Sequence, residues 1–197
     1  MSATSRLRDA LRPLARPLRR RFAPLRRARW RACYLRDGIE GIAVELRTTA
    51  THHVELLRQF GATVGRDVSI HGPLHLVNAA TDFRNLRLGD RVHLGTDVLI
   101  DLADRVTIDD EATLSMRVSI VTHLDVGPGA LRERRPRQQG PVRIGRGAYL
   151  GLGATVLHGV TVGDGATLGA HALVDHDVPP GATVLAPRAR SVGESRT

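Results

Sequence analysis

Of the side chains in this sequence, histidine is the one best suited to moving a proton near neutral pH. One of the nine histidines stands where the chain changes character. The run Val118-Ser119-Ile120-Val121-Thr122-His123 closes a regular pattern of aliphatic and small residues. A polar stretch rich in glycine, proline and arginine follows as far as Gly140-Pro141, and the pattern restarts at Val142. Segment 123–141 therefore reads as an excursion loop with His123 at its root. There the backbone is still fixed, while the imidazole can face an acceptor and take its proton. The alternative is a surface histidine without a role. His171 and His176, separated by four residues, offer a second chemistry, because imidazole is a good zinc ligand. The other histidines (His52, His53, His71, His75, His93, His158) form no ligand pattern.

The residues around His123 obey an unusual rule. Ile144, Leu150, Val156, Val162, Leu168 and Val174 recur every six residues, and small residues stand four places on, at Ala148, Ala154, Val160, Ala166, Ala172 and Val178. An amphipathic helix repeats every three to four residues and a strand meander every two, so neither fits. A period of six predicts a parallel β-helix, short strands forming flat walls with tight corners between them. Three hexads make a coil, which stacks Ile144 on Val162, Leu150 on Leu168 and Val156 on Val174. The rule extends backwards through Val64, Ile70 and Leu76, with Val68, Leu74 and Ala80 at the small position. It resumes at Leu88, Leu94 and Ile100, and after two extra residues at Ile108, Leu114 and Ile120. The pairs Gly89-Asp90, Gly145-Arg146 and Gly163-Asp164 supply the backbone freedom of the corners.

Composition agrees. Aromatic residues are 3% of the 197, as a narrow prism of stacked aliphatics requires. The net charge of +9 is unevenly placed. Up to Arg36 there are 12 arginines against the single acid Asp9, whereas 17 arginines and 19 acids follow. Residues 1–60 thus read as a basic arm and helix, 61–180 as the β-helix and 181–197 as a tail. Leu7, Leu11, Leu14, Leu18, Phe22 and Leu25 follow near-helical spacing in the arm, interrupted by Pro13, Pro17 and Pro24. Peripheral attachment to anionic lipid or to an acidic polysaccharide assembly is the functional reading of that arm, a solvated arm the plain one. A helix is predicted from about Tyr34 to Phe60, stopped by Gly61. Because the hexads begin near Val64, the arm through Arg31 is expected to be dispensable for folding. The body has neither a basic face nor stacking aromatics, so nucleic acid is not an expected partner. Cys33 is the single cysteine, which excludes an internal disulfide and suits a reducing cytosol. Neither a membrane span nor a signal peptide is recognisable.

From Leu88 to Arg190 the sequence resembles the hexapeptide-repeat acyltransferases, and is most similar to the galactoside, maltose and exopolysaccharide O-acetyltransferases. The residues that carry the resemblance are Val118 to His123, Gly140-Pro141-Val142-Arg143-Ile144-Gly145, Gly159-Val160-Thr161-Val162-Gly163-Asp164-Gly165, Gly169-Ala170 and Asp177-Val178-Pro179-Pro180. It implies an all-β, left-handed parallel β-helix, acetyl-CoA as acyl donor, and homotrimers with active sites in the clefts between prisms. His123 would be the general base, with backbone N–H groups of a neighbouring coil stabilising the oxyanion. Asp97 would contact the acceptor, and Tyr149 would form an aromatic wall in place of the usual tryptophan. Gly151 and Ala170 would lie along the pantetheine arm. His176 replaces a lysine near the cofactor phosphates, and Arg188 or Arg190 would meet the 3′-phosphate. Asp97, Tyr149 and the small pair Gly151 and Ala170 have plain alternatives: a corner acid, a packed ring, small residues demanded by narrow corners.

The function this implies is O-acetylation of a sugar hydroxyl, in a free sugar or a glycolipid, during surface polysaccharide or glycoconjugate synthesis. The alternatives are N- or O-acetylation of an amino sugar or small molecule, a zinc enzyme like the γ-carbonic anhydrases, and a catalytically silent assembly subunit. The expected site holds no metal, since His171 and His176 fall in the last complete coil. Serine O-acetyltransferases share the fold, but their Asp–His pair and long helical N-terminal domain are expected to be missing from this chain.

Overall fold

A computed structural model describes residues 22–49 and 51–188. The hexads form a parallel β-helix of about five turns with three walls. The first wall stacks Thr63–Val64, Leu86–Leu88, Val106–Ile108, Val142–Ile144 and Thr161–Val162. The second runs from Ser69–Ile70 through His93–Leu94, Thr113–Leu114, Tyr149–Leu150 and Thr167–Leu168 to Thr183–Val184, so the coil continues past residue 180. Leu74–Val77, Val98–Asp101, Ser119–Ile120, Thr155–Val156 and Leu173–Val174 make the third.

The predicted register holds: Ile144 pairs with Val162, Leu150 with Leu168 and Val156 with Val174. These side chains are fully buried and fill the prism with aliphatics. Earlier coils are longer. Ile100 pairs with Ile120, which places the two extra residues at the corner just after Ile100. Leu76 pairs with Ile100, so a still longer corner follows Val77. Ala80 lies exposed in that corner rather than in a small-residue wall position, and Phe83 fills the space with a completely buried ring.

The corner glycines have a different cause from the one expected. A Cβ on Gly145 would lie 2.6 Å from the backbone nitrogen of Asp164, so the coil above forbids a side chain there. The left-handed backbone falls two residues later, at Gly147 with φ 65°.

The N-terminal region also departs from expectation. In place of one helix to Phe60 there are two, α1 (Ala23–Thr48) and α2 (His53–Gln59). Gly38, with φ 66° and ψ −159°, breaks α1 internally. Trp30, Ile39, Ile42, Ala43 and Leu46 of α1 are buried with Leu56 and Leu57 of α2 against the first coil. Trp30 is 2% exposed, so a deletion through Arg31 would remove core and the segment is not a free appendage. Leu7, Leu11, Leu14 and Leu18 of the arm, and Arg190, lie outside the described residues.

Candidate active site

The corner between the third and first walls builds the site. Its foundation is Asp101, at the end of Val98–Asp101, where the register brings it beside Val77 of the coil below. Its side chain is 3% exposed, and a lone buried carboxylate would be costly. Donors surround it. Oδ1 accepts from Asn78 Nδ2 at 2.9 Å and from the Ala103 N–H at 3.1 Å. Oδ2 accepts from the Thr122 N–H and hydroxyl, both at 2.9 Å, and from the His123 N–H at 3.2 Å. The His123 ring completes the set, its Nδ1–H donating to the same oxygen at 2.5 Å. Burial pushes the Asp101 carboxyl up, but the bonds from Asn78, His123, Ala103 and Thr122 outweigh it and hold the group below the ordinary carboxylate range. Asp101 is therefore an anion at neutral pH.

That anion fixes the chemistry of His123. With Nδ1–H directed at the carboxylate, the free lone pair is on Nε2. A proton gained at Nε2 makes an imidazolium that Asp101 stabilises, the arrangement of a general base with an orienting acid. The ring is more enclosed than a loop-root position suggests, with 22% of the side chain exposed.

The loop then closes behind it. His123–Leu124 pairs antiparallel with Gln138–Gln139, the Gly140 N–H donates to the Thr122 carbonyl at 3.0 Å, and Gln139 Nε2 donates to the Ala103 carbonyl at 3.1 Å. Between these strands a one-turn helix, α3 (Leu131–Arg134), carries the exposed tip.

The other expected site residues are not gathered around His123. Gly151 and Ala170 lie at the corner between the second and third walls. Gly151 is buried, and a Cβ there would stand 2.8 Å from the Ala170 nitrogen, so coil stacking alone explains its size. Ala170 is exposed. Tyr149 projects from the outer face of the second wall between Thr113 and Thr167, 46% exposed. Asp97 occupies the same corner as Gly151 two coils earlier, in a left-handed conformation, and pairs with His75 at 3.2 Å. Arg188 is exposed beyond the last strand of the second wall. His176 shares the corner of His123 two coils further on and bonds Asp175 at 2.8 Å.

His171 and His176 stand at opposite ends of Leu173–Val174, at two different corners, and do not converge on one ion. Among the described residues no group of three His, Cys, Asp or Glu side chains is placed to hold a metal. Grooves are open on the surface of the described residues. One of about 620 Å³ lies between α1 and α2. Another, of about 390 Å³, lies along the first wall at Arg143, Thr161 and Asp177. His123 lines neither.

Asp101, Asn78 and Thr122 were not anticipated from sequence. The expectation that an Asp–His pair is lacking is corrected by the 2.5 Å contact of Asp101 and His123. Its signal was present in the two residues inserted after Ile100, which lengthen the corner that holds the carboxylate.

The chain is thus a parallel β-helix built from hexads, with a buried Asp–His pair at the root of its one long loop among the described residues. The family model described as bacterial transferase hexapeptide (six repeats) matches residues 141–176. Nodulation protein L of Rhizobium meliloti (strain 1021) is 37% identical over 139 residues, covering 70% of this chain and 73% of that protein. A probable serine acetyltransferase 1 of Oryza sativa subsp. japonica is 42% identical over 102 residues, 51% of this chain and 32% of that protein. Galactoside acetyltransferase in complex with coenzyme A shares the fold, with a TM-score of 0.63 and 20% identity over 79% of this chain and 78% of that one. The chain belongs to the hexapeptide-repeat transferase family.

Proposed function

We propose that this protein is an acetyl-CoA-dependent O-acetyltransferase that acylates a sugar hydroxyl of a surface polysaccharide or glycoconjugate. The observation that carries the reading is the Asp101–His123 pair. Nε2 of His123 takes the proton of the acceptor hydroxyl as its oxygen bonds to the acetyl carbonyl carbon. The carbon–sulfur bond breaks, and the departing thiolate of coenzyme A recovers that proton from the imidazolium. Asp101 holds the tautomer and offsets the transient positive charge. Neutral imidazole, acceptor and thioester thus become neutral imidazole, ester and thiol, with no further reactant.

The donor fits the corner between the second and third walls. A thin apolar arm can lie along Ala170 beside the exposed Leu152 and Leu185, with Arg188 available to a phosphate. On one prism that corner is not the corner of His123. The enzyme accordingly works as a homotrimer, the base of one protomer facing the donor groove of the next. The sugar acceptor rests on the likeness of the Val118–His123 and Gly140–Gly145 stretches to galactoside and maltose enzymes. Serine or another small hydroxyl compound is the second reading, favoured by the 42% identity with a protein named as a serine acetyltransferase. Cys33, partly buried and free, suits work in a reducing cytosol, with the basic arm at the membrane surface.

The test is thioester cleavage with acetyl-CoA against a panel of sugars, glycolipids and serine. His123→Ala is expected to lower kcat by roughly two to four orders of magnitude with little change in the KM for acetyl-CoA. A fully active variant would remove the mechanism.

A further inference from the structure

The groove between α1 and α2 belongs to no step of the transfer reaction. About 620 Å³ in volume, it is lined by Arg27, Arg31, His52, Val54, Glu55, Arg58 and Gln59. Three guanidiniums thus face it against one carboxylate, and that carboxylate is already committed. Glu55 bonds Arg27 Nε at 2.9 Å and pairs with Arg26 as well. Burial pushes the Glu55 carboxyl up, yet Arg26 and Arg27 outweigh it and hold the group below its ordinary value, so its charge is matched within the protein. Arg58 is held in place by the carbonyl of Val64, which accepts from Nη2 at 2.9 Å. Among the described residues Arg31 has no ion-pair or hydrogen-bond partner, and it is exposed.

We infer that this groove is a second ligand site, one that binds a phosphate or diphosphate ester. Guanidinium forks match the several oxygens of a phosphate, whereas a single carboxylate would satisfy only one of them. The volume lies in the range of clefts for small organic molecules, so the occupant is an ester rather than a bare ion. Such an ester can come from a lipid headgroup or from a soluble phosphorylated compound.

Two probes separate the sources in the full-length protein: inorganic pyrophosphate by calorimetry, and phosphatidylcholine vesicles with and without phosphatidylglycerol by co-sedimentation. Arg31→Glu is expected to weaken binding by tenfold or more, and Arg31→Gln less, with the thermal unfolding curve unchanged because Arg31 holds nothing in place. Arg29→Glu serves as control, since Arg29 pairs with Glu45 and does not line the groove. Pyrophosphate binding that Arg31→Glu loses and Arg29→Glu keeps, with no vesicle binding by the parent protein, assigns the site to a soluble ester. Vesicle binding that pyrophosphate competes away, and that Arg31→Glu abolishes, assigns it to a headgroup. Failure of both probes to bind overturns the inference. So does binding that Arg31→Glu and Arg29→Glu reduce equally, which would mark a diffuse attraction to the helix and arm.

Discussion

At the scale of single residues, the weight of the site falls on Asp101 rather than on the histidine that announces it. Every group around the Asp101 carboxylate is a donor: Asn78, Ala103, Thr122, and the backbone N–H and ring Nδ1–H of His123. Asp101→Asn therefore has no good orientation. If its oxygen faces His123, its NH2 group meets the Asn78 and Ala103 donors, and a buried polar group left unmatched costs about 1–3 kcal/mol. The variant is expected to lose that much in chemical denaturation. It should also lose roughly two orders of magnitude or more in kcat, because the imidazolium has lost its counter-charge, while the KM for acetyl-CoA stays the same. An Asp101→Asn enzyme of unchanged stability and rate would show that the pair is structural decoration. His123 was legible in the sequence because it marks where a repeat stops. Asp101 was not, since its partners come from three coils and only the stacking register brings Asn78, Thr122 and His123 to one point.

At the scale of elements, the hexad periodicity made most wall positions legible, Ala80 being an exception, while the corners and the helical cap were not. A wall position is dictated by one requirement, an aliphatic side chain that stacks on its neighbour in the next coil. Corners answer to two requirements, close approach and left-handed backbone, and Gly145 and Gly147 show them falling on different residues. The cap is set by contacts that no short period reports. His53 is its clearest case: 3% exposed, it links α2 to α1 through Nε2 and the Leu46 carbonyl at 3.1 Å. Burial lowers its pKa below the ordinary histidine value, against the weaker upward pull of that hydrogen bond. The folded protein thus prefers the neutral ring. Above the unfolded value of 6.5 both states are neutral and the full stability is present. As the pH falls below it the unfolded chain gains a proton that the folded chain refuses, and stability declines until the folded pKa is passed. Denaturation followed between pH 7.5 and 5 is expected to show this loss, with His53→Gln flattening the slope. An identical slope in the variant would assign the pH dependence to other groups.

At the scale of the whole molecule, a prism with three narrow walls cannot enclose a donor and an acceptor, and the described chain separates the groups that would serve them. His123 stands at the corner between the third and first walls, Ala170 at the corner between the second and third. Three-fold association would bring unlike corners of neighbouring prisms face to face, a heterologous contact that closes into a ring. Light scattering at micromolar concentration should then give three times the mass of the 21.4 kDa chain. A sharper expectation follows from shared sites. His123→Ala removes the base and leaves the donor groove intact. Ala170→Trp blocks the groove from an exposed position and leaves the base. Each variant alone is expected to be nearly inactive. When the two are co-expressed in equal amounts and assemble at random, one site in about four combines an intact His123 from one protomer with an intact groove from the next. Roughly a quarter of the parent activity should return. If base and groove belong to the same protomer, no pairing of these two variants restores a complete site and the mixture stays inactive. Recovery on co-expression, absent when the two purified variants are mixed under conditions where subunits do not exchange, would place the active site between prisms.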